Sequence, residues 1–289
     1  MWSTTLGHQK QIEQLRASLA TGKLHHAWLF SGIEGIGKKR VALGLAQALH
    51  GESEKTAKGI HPDSTWIEIE PDGKAIKIES LRKLKQKIFL HPMEGNAKTI
   101  LIFDAHTMTE GFANALLKIL EEPPADTYFF LITSQASKLL PTIRSRCQQM
   151  EFSPLTVSQI AGYLREAGFE AEEAGARAYY AQGSLKTALD FDAKKLGEIQ
   201  NKIEELQKNS SPSKIFALSE EWLKEDETLP VVLITLSHLW HEKIVGEKEV
   251  EALENNLKQW QSIQQATKDL ETNANKNLLL ENLLFNLAS

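Results

Sequence analysis

Short apolar segments alternate with segments of helical periodicity through the first half of the chain. Five of the apolar segments are rich in β-branched and aromatic residues, which favour buried strands. They cover residues 27–30, 66–69, 99–103, 128–133 and 149–152. Strands that alternate with helices in this way predict a parallel five-stranded sheet covered by helices, which is an α/β fold.

The segment between the third and fourth predicted strands has the pattern of an amphipathic helix. Its apolar residues recur at helical spacing, and two prolines follow two glutamates at its end. The apolar residues are Ala113, Leu116, Leu117 and Leu120, and the end is Glu121-Glu122-Pro123-Pro124. The pattern predicts a βαβ crossover whose helix stops before the prolines.

The second half of the chain is predicted to be helical. The strand pattern stops after Pro154, and Gly168 and Gly183 mark breaks between short helices. Residues 207–213 have linker composition. The leucine-rich stretch 270–287 is typical of a packing face, and we expect some of its leucines to contact another subunit.

These boundaries predict three domains. An α/β base domain is followed by a small helical domain and a last all-helical domain. The predicted ranges are 1–153, 154–208 and 209–289.

Composition is that of a globular protein. With 289 residues, of which 42% are hydrophobic, the chain can bury a sizeable core. No stretch reaches the roughly 20 apolar residues that span a bilayer, and residues 1–10 lack an export signal. We therefore expect a cytoplasmic location and no membrane partner. The single cysteine, Cys147, excludes an internal disulfide and a cysteine-built zinc site.

The charge balance limits how the chain can bind DNA. It has 33 Lys and Arg against 38 Asp and Glu, a net charge of −5, and so lacks the basic excess needed to hold a duplex alone. The densest basic run, at residues 74–87, has helical periodicity, which favours a solvated face over phosphate contacts. The buried face would carry Leu81, Leu84 and Ile88, and the outward lysines would be Lys83, Lys85 and Lys87.

A glycine-rich segment follows the first predicted strand and opens a predicted helix. Gly32, Gly35, Gly37 and Lys38 lie in a stretch that fits the phosphate-loop pattern G-x-x-x-x-G-K. Glycines let backbone N–H groups turn towards phosphate oxygens, the helix start adds partial positive charge, and the lysine reaches the terminal phosphates. The segment predicts an ATP-binding loop, and the alternative is a glycine-rich turn that binds nothing.

Two positions important for hydrolysis carry unexpected residues. Lys39 stands where a serine or threonine hydroxyl would bind Mg²⁺. Asp104 ends the third predicted strand and is placed to hold Mg²⁺ or its water, but Ala105 follows where a glutamate would activate the attacking water. His106 comes next, and a lone histidine there is more often structural. We predict weak or absent Mg²⁺-dependent ATP hydrolysis. The sequence leaves open whether ATP binds, and Mg²⁺ is expected only if ATP does.

Several blocks of the sequence resemble one protein family. The strongest are 24–32, His61-Pro62-Asp63, 114–124 and Arg144-Ser145-Arg146-Cys147, and weaker similarity runs through 183–189 to 273–276. Through these blocks the chain resembles the delta-prime family of subunits of bacterial DNA polymerase III clamp loaders. The resemblance extends over nearly the whole sequence.

The resemblance implies a fold, an assembly and a role for one arginine. It implies an AAA+ base, a helical lid and a helical collar through which five subunits form an open ring. The implied partners are gamma- or tau-type ATPase subunits, a delta subunit and, through the complex, the sliding clamp and primer-template DNA. Arg146 matches an arginine finger that reaches the ATP site of the adjacent subunit, where a guanidinium can donate two parallel hydrogen bonds to phosphate. Arg144 is interpreted as structural and Cys147 as a packing residue.

The sequence departs from the family pattern at two places. Many members carry a zinc-binding cysteine cluster before His61, but residues 50–60 contain no cysteine, so we expect no zinc. The motor subunits carry an arginine where Lys186 stands. Lys186 could still contact a phosphate, although not through two parallel hydrogen bonds.

Three hypotheses for function follow. The first is a stator subunit that is inactive alone and acts through Arg146. The second is an ATP-hydrolysing motor subunit of the same loader that uses Lys38 and Asp104. The third is an unrelated AAA+ or P-loop ATPase, such as a subunit of a DNA-remodelling helicase.

Overall fold

The computed structural model describes residues 5–71, 73–191, 193–209, 211–224, 228–270 and 274–288. The chain divides into two compact units, Met1–Leu189 and Asp190–Ser289. Within the described parts of the chain, none of the helices combines the length and hydrophobicity needed to cross a membrane.

The first unit is built on a five-stranded sheet in the order β2-β3-β4-β1-β5. All neighbouring strands are parallel, with Leu29 opposite Leu131 and Ile100 opposite Phe129. The strands are β1 Ala27–Ser31, β2 Ser64–Ile67, β3 Lys98–Ile102, β4 Thr127–Thr133 and β5 Gln148–Glu151. The five predicted strands and their parallel arrangement are confirmed.

Helices cover both faces of this sheet. Successive residues of a strand point to opposite faces, so Leu29 packs in one apolar core and Phe30 in the other. The helices are α1 Gln9–Ala20, α2 Lys38–Leu49, α3 Glu54–Ala57, α4 Ile78–Ile88, α5 Glu110–Glu121, α6 Pro141–Arg144, α7 Val157–Glu166, α8 Ala171–Tyr180 and α9 Leu185–Asp190. Among the residues that the structure describes, short 3₁₀ helices span Ala105–Thr107 and Ala136–Lys138.

Helix α5 forms the predicted crossover between β3 and β4. The side chain of Thr109 caps its start by accepting a hydrogen bond from Phe112 N at 3.4 Å. Its predicted apolar stripe faces the core, since Ala113, Leu116 and Leu120 are buried. The helix ends at Glu121, ahead of the two prolines as predicted.

Helix α4 carries much of the basic run on its exposed side. Leu81, Leu84 and Ile88 are buried, as their spacing predicted. The exposed residues of this helix include Arg82, Lys85 and Lys87, while the side chain of Lys83 lies outside the described part of the structure. Exposed side chains suit both a solvated face and phosphate contacts, so the solvated-face interpretation stays a prediction.

The short helices α7 to α9 share a core with the sheet. Ile160, Leu164 and Ala178 belong to the same apolar cluster as Phe30. Helix α7 starts with a capping box in which Thr156 and Gln159 each bond to the other's backbone N–H. The helical segment after residue 154 is therefore packed into the first unit.

The regular secondary structure among the described residues of the second unit is all helical. Trp240 is fully buried at its centre and donates from Nε1 to Gln259 Oε1 at 2.9 Å. The helices are α10 Ala193–Lys208, α11 Pro212–Leu223, α12 Thr228–Gly246, α13 Val250–Leu270 and α14 Lys276–Ala288. The expected all-helical C-terminal region is confirmed.

The boundary between the two units differs from the expected position at residue 208. Ile199, Ile203 and Leu206 of α10 pack in the core of the second unit. The chain therefore divides between Leu189 and Asp190, because α10 packs in the apolar core of the second unit.

The leucine-rich C-terminal stretch is mainly a packing face. Four leucines of α14 are buried in the core of the second unit, which confirms this interpretation. They are Leu280, Leu283, Leu284 and Leu287. Leu278 is exposed, and Asn273, from the last block of similarity, lies outside the described residues.

A pair of stacked histidines lies between α2 and β2. The rings of His50 and His61 are parallel within 6°, with centroids 4.1 Å apart, and both are buried. His50 Nδ1 also shares a 2.8 Å hydrogen bond with the Thr56 hydroxyl. Burial, helped by the positive charge that His61 can carry, lowers the pKa of His50 to about 4, although Asp63 opposes the shift.

This shift predicts a loss of stability in weak acid. Unfolded His50 takes up a proton near pH 6.5 and folded His50 only near pH 4, so its stabilising contribution is complete above pH 6.5 and is lost as the pH falls. We expect the free energy of unfolding to fall by about 2 kcal/mol between pH 7.5 and pH 5 from this group. Urea unfolding at both pH values should show a smaller fall in His50→Gln. The exposed His91→Gln should match the wild type, and equal falls in all three proteins would contradict the assignment.

Candidate functional site

The glycine-rich loop joins the end of β1 to the start of α2. Gly35 and Gly37 have φ values of 78° and 107°, a left-handed region that favours glycine. At Gly32 a Cβ atom would lie 2.3 Å from the carbonyl oxygen of Phe152. The loop therefore needs these glycines both for its turn and for its close approach to the end of β5.

Lys38 is folded into the loop that precedes it. Its ammonium group donates to the carbonyl oxygens of Gly32 and Ile33, both at 2.6 Å, and the residue is only 5% exposed. Burial lowers the pKa of Lys38 to about 8, although the negative charges of Glu34 and Asp104 oppose the shift. A phosphate at this loop would compete with the two carbonyl oxygens for the ammonium hydrogens.

Lys39 points towards aromatic rings and a carboxylate. Its Nζ lies 4.0 Å from the centroid of Phe103 and 5.3 Å from that of Trp66. It also lies 3.9 Å from a carboxylate oxygen of Glu68, in a pair that is largely exposed. The position that would supply a metal-binding hydroxyl therefore carries a cation instead.

Asp104 follows the end of β3 and is exposed beside the loop. It adopts a left-handed conformation with φ 48° and starts the short 3₁₀ helix. Ala105, where the sequence pattern expected a glutamate that activates water, is fully buried. His106 Nδ1 shares a 3.2 Å hydrogen bond with the Thr133 hydroxyl, and burial lowers the pKa of His106. This contact supports the structural interpretation of His106.

Residues at the start of α9 close over the loop. Lys186 Nζ forms a 2.7 Å ion pair with Glu34, and Lys186 N donates to Gly35 O at 3.4 Å. A Cβ atom at Gly35 would lie 2.3 Å from Ser184 Oγ. Lys186 is thus next to the loop, as the sequence predicted, but its ammonium is paired with a carboxylate of the loop itself.

These elements line an open cavity of about 550 Å³, within the usual size range for small-molecule sites. The cavity is lined by four cationic and three anionic side chains together with loop glycines and apolar residues. The predicted residues that line it are Gly35, Gly37, Lys38, Lys39, Asp104 and Lys186. Gly32 is not in this lining, and its place is beneath the loop against Phe152.

The two implied ligands differ in how well they fit this cavity. The loop glycines, the start of α2 and the cations suit the phosphates of ATP. Mg²⁺ is a hard cation that takes oxygen ligands, and the ammonium of Lys39 stands where one such oxygen would be. Asp104 alone does not replace that ligand, so the residues fit a nucleotide better than its metal.

Arg146 lies at the surface, two residues after α6. Its guanidinium donates from Nη2 to Glu121 Oε1 at 2.5 Å and from Nη1 to the carbonyl oxygen of Thr142 at 2.9 Å. The side chain is 33% exposed. It is not among the residues that line the described cavity at the glycine-rich loop.

Two residues close to Arg146 in the sequence, Arg144 and Cys147, are partly or wholly buried. Cys147 is buried in an apolar core, and burial raises the pKa of its thiol to about 12. It is therefore an inert packing residue, as expected. Arg144 is half-buried, and its Nε has no hydrogen-bond partner among the described residues. This enclosed position supports a structural interpretation of Arg144.

Sequence reasoning missed several residues around the cavity. Glu68 and Phe103 contact Lys39, and Glu34 pairs with Lys186. Ser134, just after β4, also lines the cavity. Because parallel strands end at one edge of the sheet, the residues after β2 and β4 could have been included as candidates.

Residues 7–156, which contain the whole sheet, the loop and Arg146, match the family described as DNA polymerase III, delta subunit. The chain belongs to this family. The expected relationship to the clamp-loader proteins of DNA polymerase III is confirmed, and membership excludes an unrelated P-loop ATPase.

Curated relatives include gamma, tau and delta-prime subunits of DNA polymerase III. The DNA polymerase III gamma subunit of Buchnera aphidicola is 31% identical over 205 residues, which cover 64% of this chain and 56% of that protein. The delta-prime subunit of Bacillus subtilis is 38% identical over 167 residues, which cover 54% of this chain and 50% of that protein. The chain thus matches about half the length of each.

A solved structure agrees with the fold over most of the chain. The crystal structure of a gamma subunit-related protein from Thermotoga maritima aligns with a TM-score of 0.50 and 22% identity, and covers 95% of this chain and 98% of its own. The AAA+ fold expected from the sequence is confirmed.

The cation at position 39 predicts how Mg²⁺ affects nucleotide binding. In calorimetric titrations of ATP, we expect Mg²⁺ to leave wild-type affinity unchanged or lower, because Lys39 repels the metal. Lys39→Thr supplies the missing hydroxyl and should gain about tenfold in affinity when Mg²⁺ is added.

Lys39→Met is the matched control, because it removes the charge without adding a hydroxyl. It should show no such gain. A wild type whose binding strengthens with Mg²⁺ as much as Lys39→Thr would contradict the prediction. If none of these proteins binds ATP, the segment is the glycine-rich turn of the alternative hypothesis.

Proposed function

We propose that this chain is the delta-prime-type subunit of a DNA polymerase III clamp loader and acts as a stator. In this role it supplies Arg146 to the ATP site of a neighbouring gamma- or tau-type ATPase subunit. Together with a delta subunit, the assembled ring would place the sliding clamp on primed DNA in the cytoplasm.

The observation that carries this proposal is the placement of Arg146. An arginine finger must be anchored by its own backbone and must still present its guanidinium to another molecule. Arg146 meets both requirements, because Ile143 and Cys147 in the same segment are buried while the Arg146 side chain is one-third exposed. Arginine stays charged at all relevant pH values and can donate two parallel hydrogen bonds to phosphate oxygens.

The chain's own loop supports a role exerted on a neighbour. Lys39 replaces the hydroxyl that would hold Mg²⁺, and Ala105 replaces the carboxylate that would activate water. Ala105 is fully buried and offers no polar group to substrate. Two separate parts of the hydrolytic machinery are thus missing, and ATP bound at this loop would serve structure rather than turnover.

A motor subunit of the same loader is the second candidate. One observation favours it. A gamma subunit is 31% identical to this chain, which is comparable to the 38% identity of a delta-prime subunit. Gly32, Lys38 and Asp104 would all be available to such a subunit. Lys39 and Ala105 argue against it.

Reconstitution separates the two candidates. The full chain is assembled with its cognate ATPase and delta subunits, and ATP hydrolysis is measured with clamp and primed DNA. Arg146→Ala should remove hydrolysis at the one site that it serves, where a finger contributes about 10³ to 10⁵ in rate in related systems. Arg146→Lys should recover little, since an ammonium lacks the planar pair of donors. Lys38→Ala should leave the rate nearly unchanged.

Two controls make the result interpretable. Arg82→Ala removes another exposed arginine, on α4, and should behave as wild type. Size-exclusion chromatography must show that every variant still assembles. A ring whose hydrolysis ignores Arg146→Ala but is abolished by Lys38→Ala would establish the motor subunit instead.

A further inference from the structure

Arg146 is held by two groups from its own chain. Glu121 is the last residue of α5, and its carboxylate accepts a hydrogen bond from Arg146 Nη2 at 2.5 Å. The carbonyl oxygen of Thr142, in α6, accepts from Nη1 at 2.9 Å. The guanidinium is therefore fixed at both of its terminal nitrogens, by two different helices.

The backbone around Arg146 is fixed independently of these contacts. Ser145 N donates to Pro141 O at 2.9 Å, and Arg146 N donates to Ile143 O at 3.1 Å. The buried side chain of Ile143 anchors the same turn in the core. The freedom that remains to Arg146 is that of its side-chain torsions, and Glu121 restrains these directly.

The contact with Glu121 leaves the guanidinium able to bind a phosphate. Arginine has five N–H donors, and the two contacts use two of them. Three remain, which is enough for two parallel hydrogen bonds to phosphate oxygens. The Glu121 side chain is 49% exposed, so water screens its negative charge. The carboxylate therefore weakens the attraction between the guanidinium and a phosphate only slightly.

We propose that Glu121 is a positioning residue for Arg146 and holds its guanidinium in the orientation in which it meets the phosphates of a nucleotide on a neighbouring subunit. This inference rests on the proposed function. Without Glu121 the side chain would have to be ordered anew each time it met a phosphate. The free energy needed to order one long side chain corresponds to about a 2- to 10-fold loss in rate.

The test uses the reconstituted loader. The measured quantity is the part of the ATPase rate that Arg146→Ala removes. Glu121→Ala should lower this part about 2- to 10-fold, in kcat rather than in KM, because the finger acts on the reacting phosphate. Glu121→Gln keeps an oxygen that can accept the hydrogen bond and should recover part of the loss.

The neighbouring residue provides a matched control. Glu122 is also an exposed carboxylate, and it lies one residue further along, at the end of the same helix. Glu122→Ala makes the same change of charge and size and should keep the full rate. If loss of any negative charge at this helix end slowed hydrolysis, both variants would lose the same fraction of the ATPase rate, and that result would overturn the inference.

A double-mutant cycle distinguishes positioning from an independent structural effect. If Glu121 acts through Arg146, Glu121→Ala has no further effect on a chain that already carries Arg146→Ala. Additive losses, a rate that rises in Glu121→Ala, or a rate equal to wild type would each overturn the inference while the proposed function stands. If Arg146→Ala alone leaves the rate unchanged, the proposed function fails and this inference fails with it.

Discussion

The parallel pairing of β4 with both β1 and β3 is the constraint on which the candidate site depends. The carboxyl ends of parallel strands meet at one edge of a sheet, and the segments that follow them converge there. This pairing brings the glycine-rich loop after β1 next to Asp104 after β3 and Ser134 after β4. Residues about a hundred positions apart in the chain thereby line one cavity, and loss of this strand order would disperse them.

The charge in this cavity is balanced mainly within the protein. Lys186 pairs with Glu34, and Lys39 lies near Glu68 and over the face of Phe103. An exposed ion pair contributes little free energy, so these contacts set where the cations point more than how stable the fold is. A loop of this kind can attract phosphate, but it offers a metal ion fewer oxygen ligands than hydrolysis requires.

Local signals explain how much of the fold could be predicted. β-branched and aromatic segments marked all five strands, glycines marked the loop, and two prolines marked the end of α5, because each acts on the backbone around it. The domain boundary expected at residue 208 differs from the division of the chain between Leu189 and Asp190. Polar residues after 207 suggested a boundary there, but Ile199 and Ile203 pack against helices much later in the chain. Such long-range packing leaves no local pattern.

The candidate site shows the same division between local and distant information. Lys38, Asp104 and Arg146 could be named from short motifs. Their partners could not, because Glu34 meets Lys186 across 152 residues and Glu121 meets Arg146 across 25. Each of these pairs exists only because the sheet and its helices bring two distant segments together, and no pattern in either segment identifies the other.

Action on a neighbour places opposite demands on one side chain. Burial fixes an arginine but removes it from other molecules, whereas full exposure leaves it to sample many rotamers. Here the backbone is anchored by the buried side chains of Ile143 and Cys147, and the guanidinium is restrained at the surface by polar contacts. The apolar core thus supplies the rigidity and the surface contacts supply the orientation. In the proposed role, the chain would contribute to catalysis without hydrolysing ATP itself, because a guanidinium needs neither metal nor nucleotide of its own.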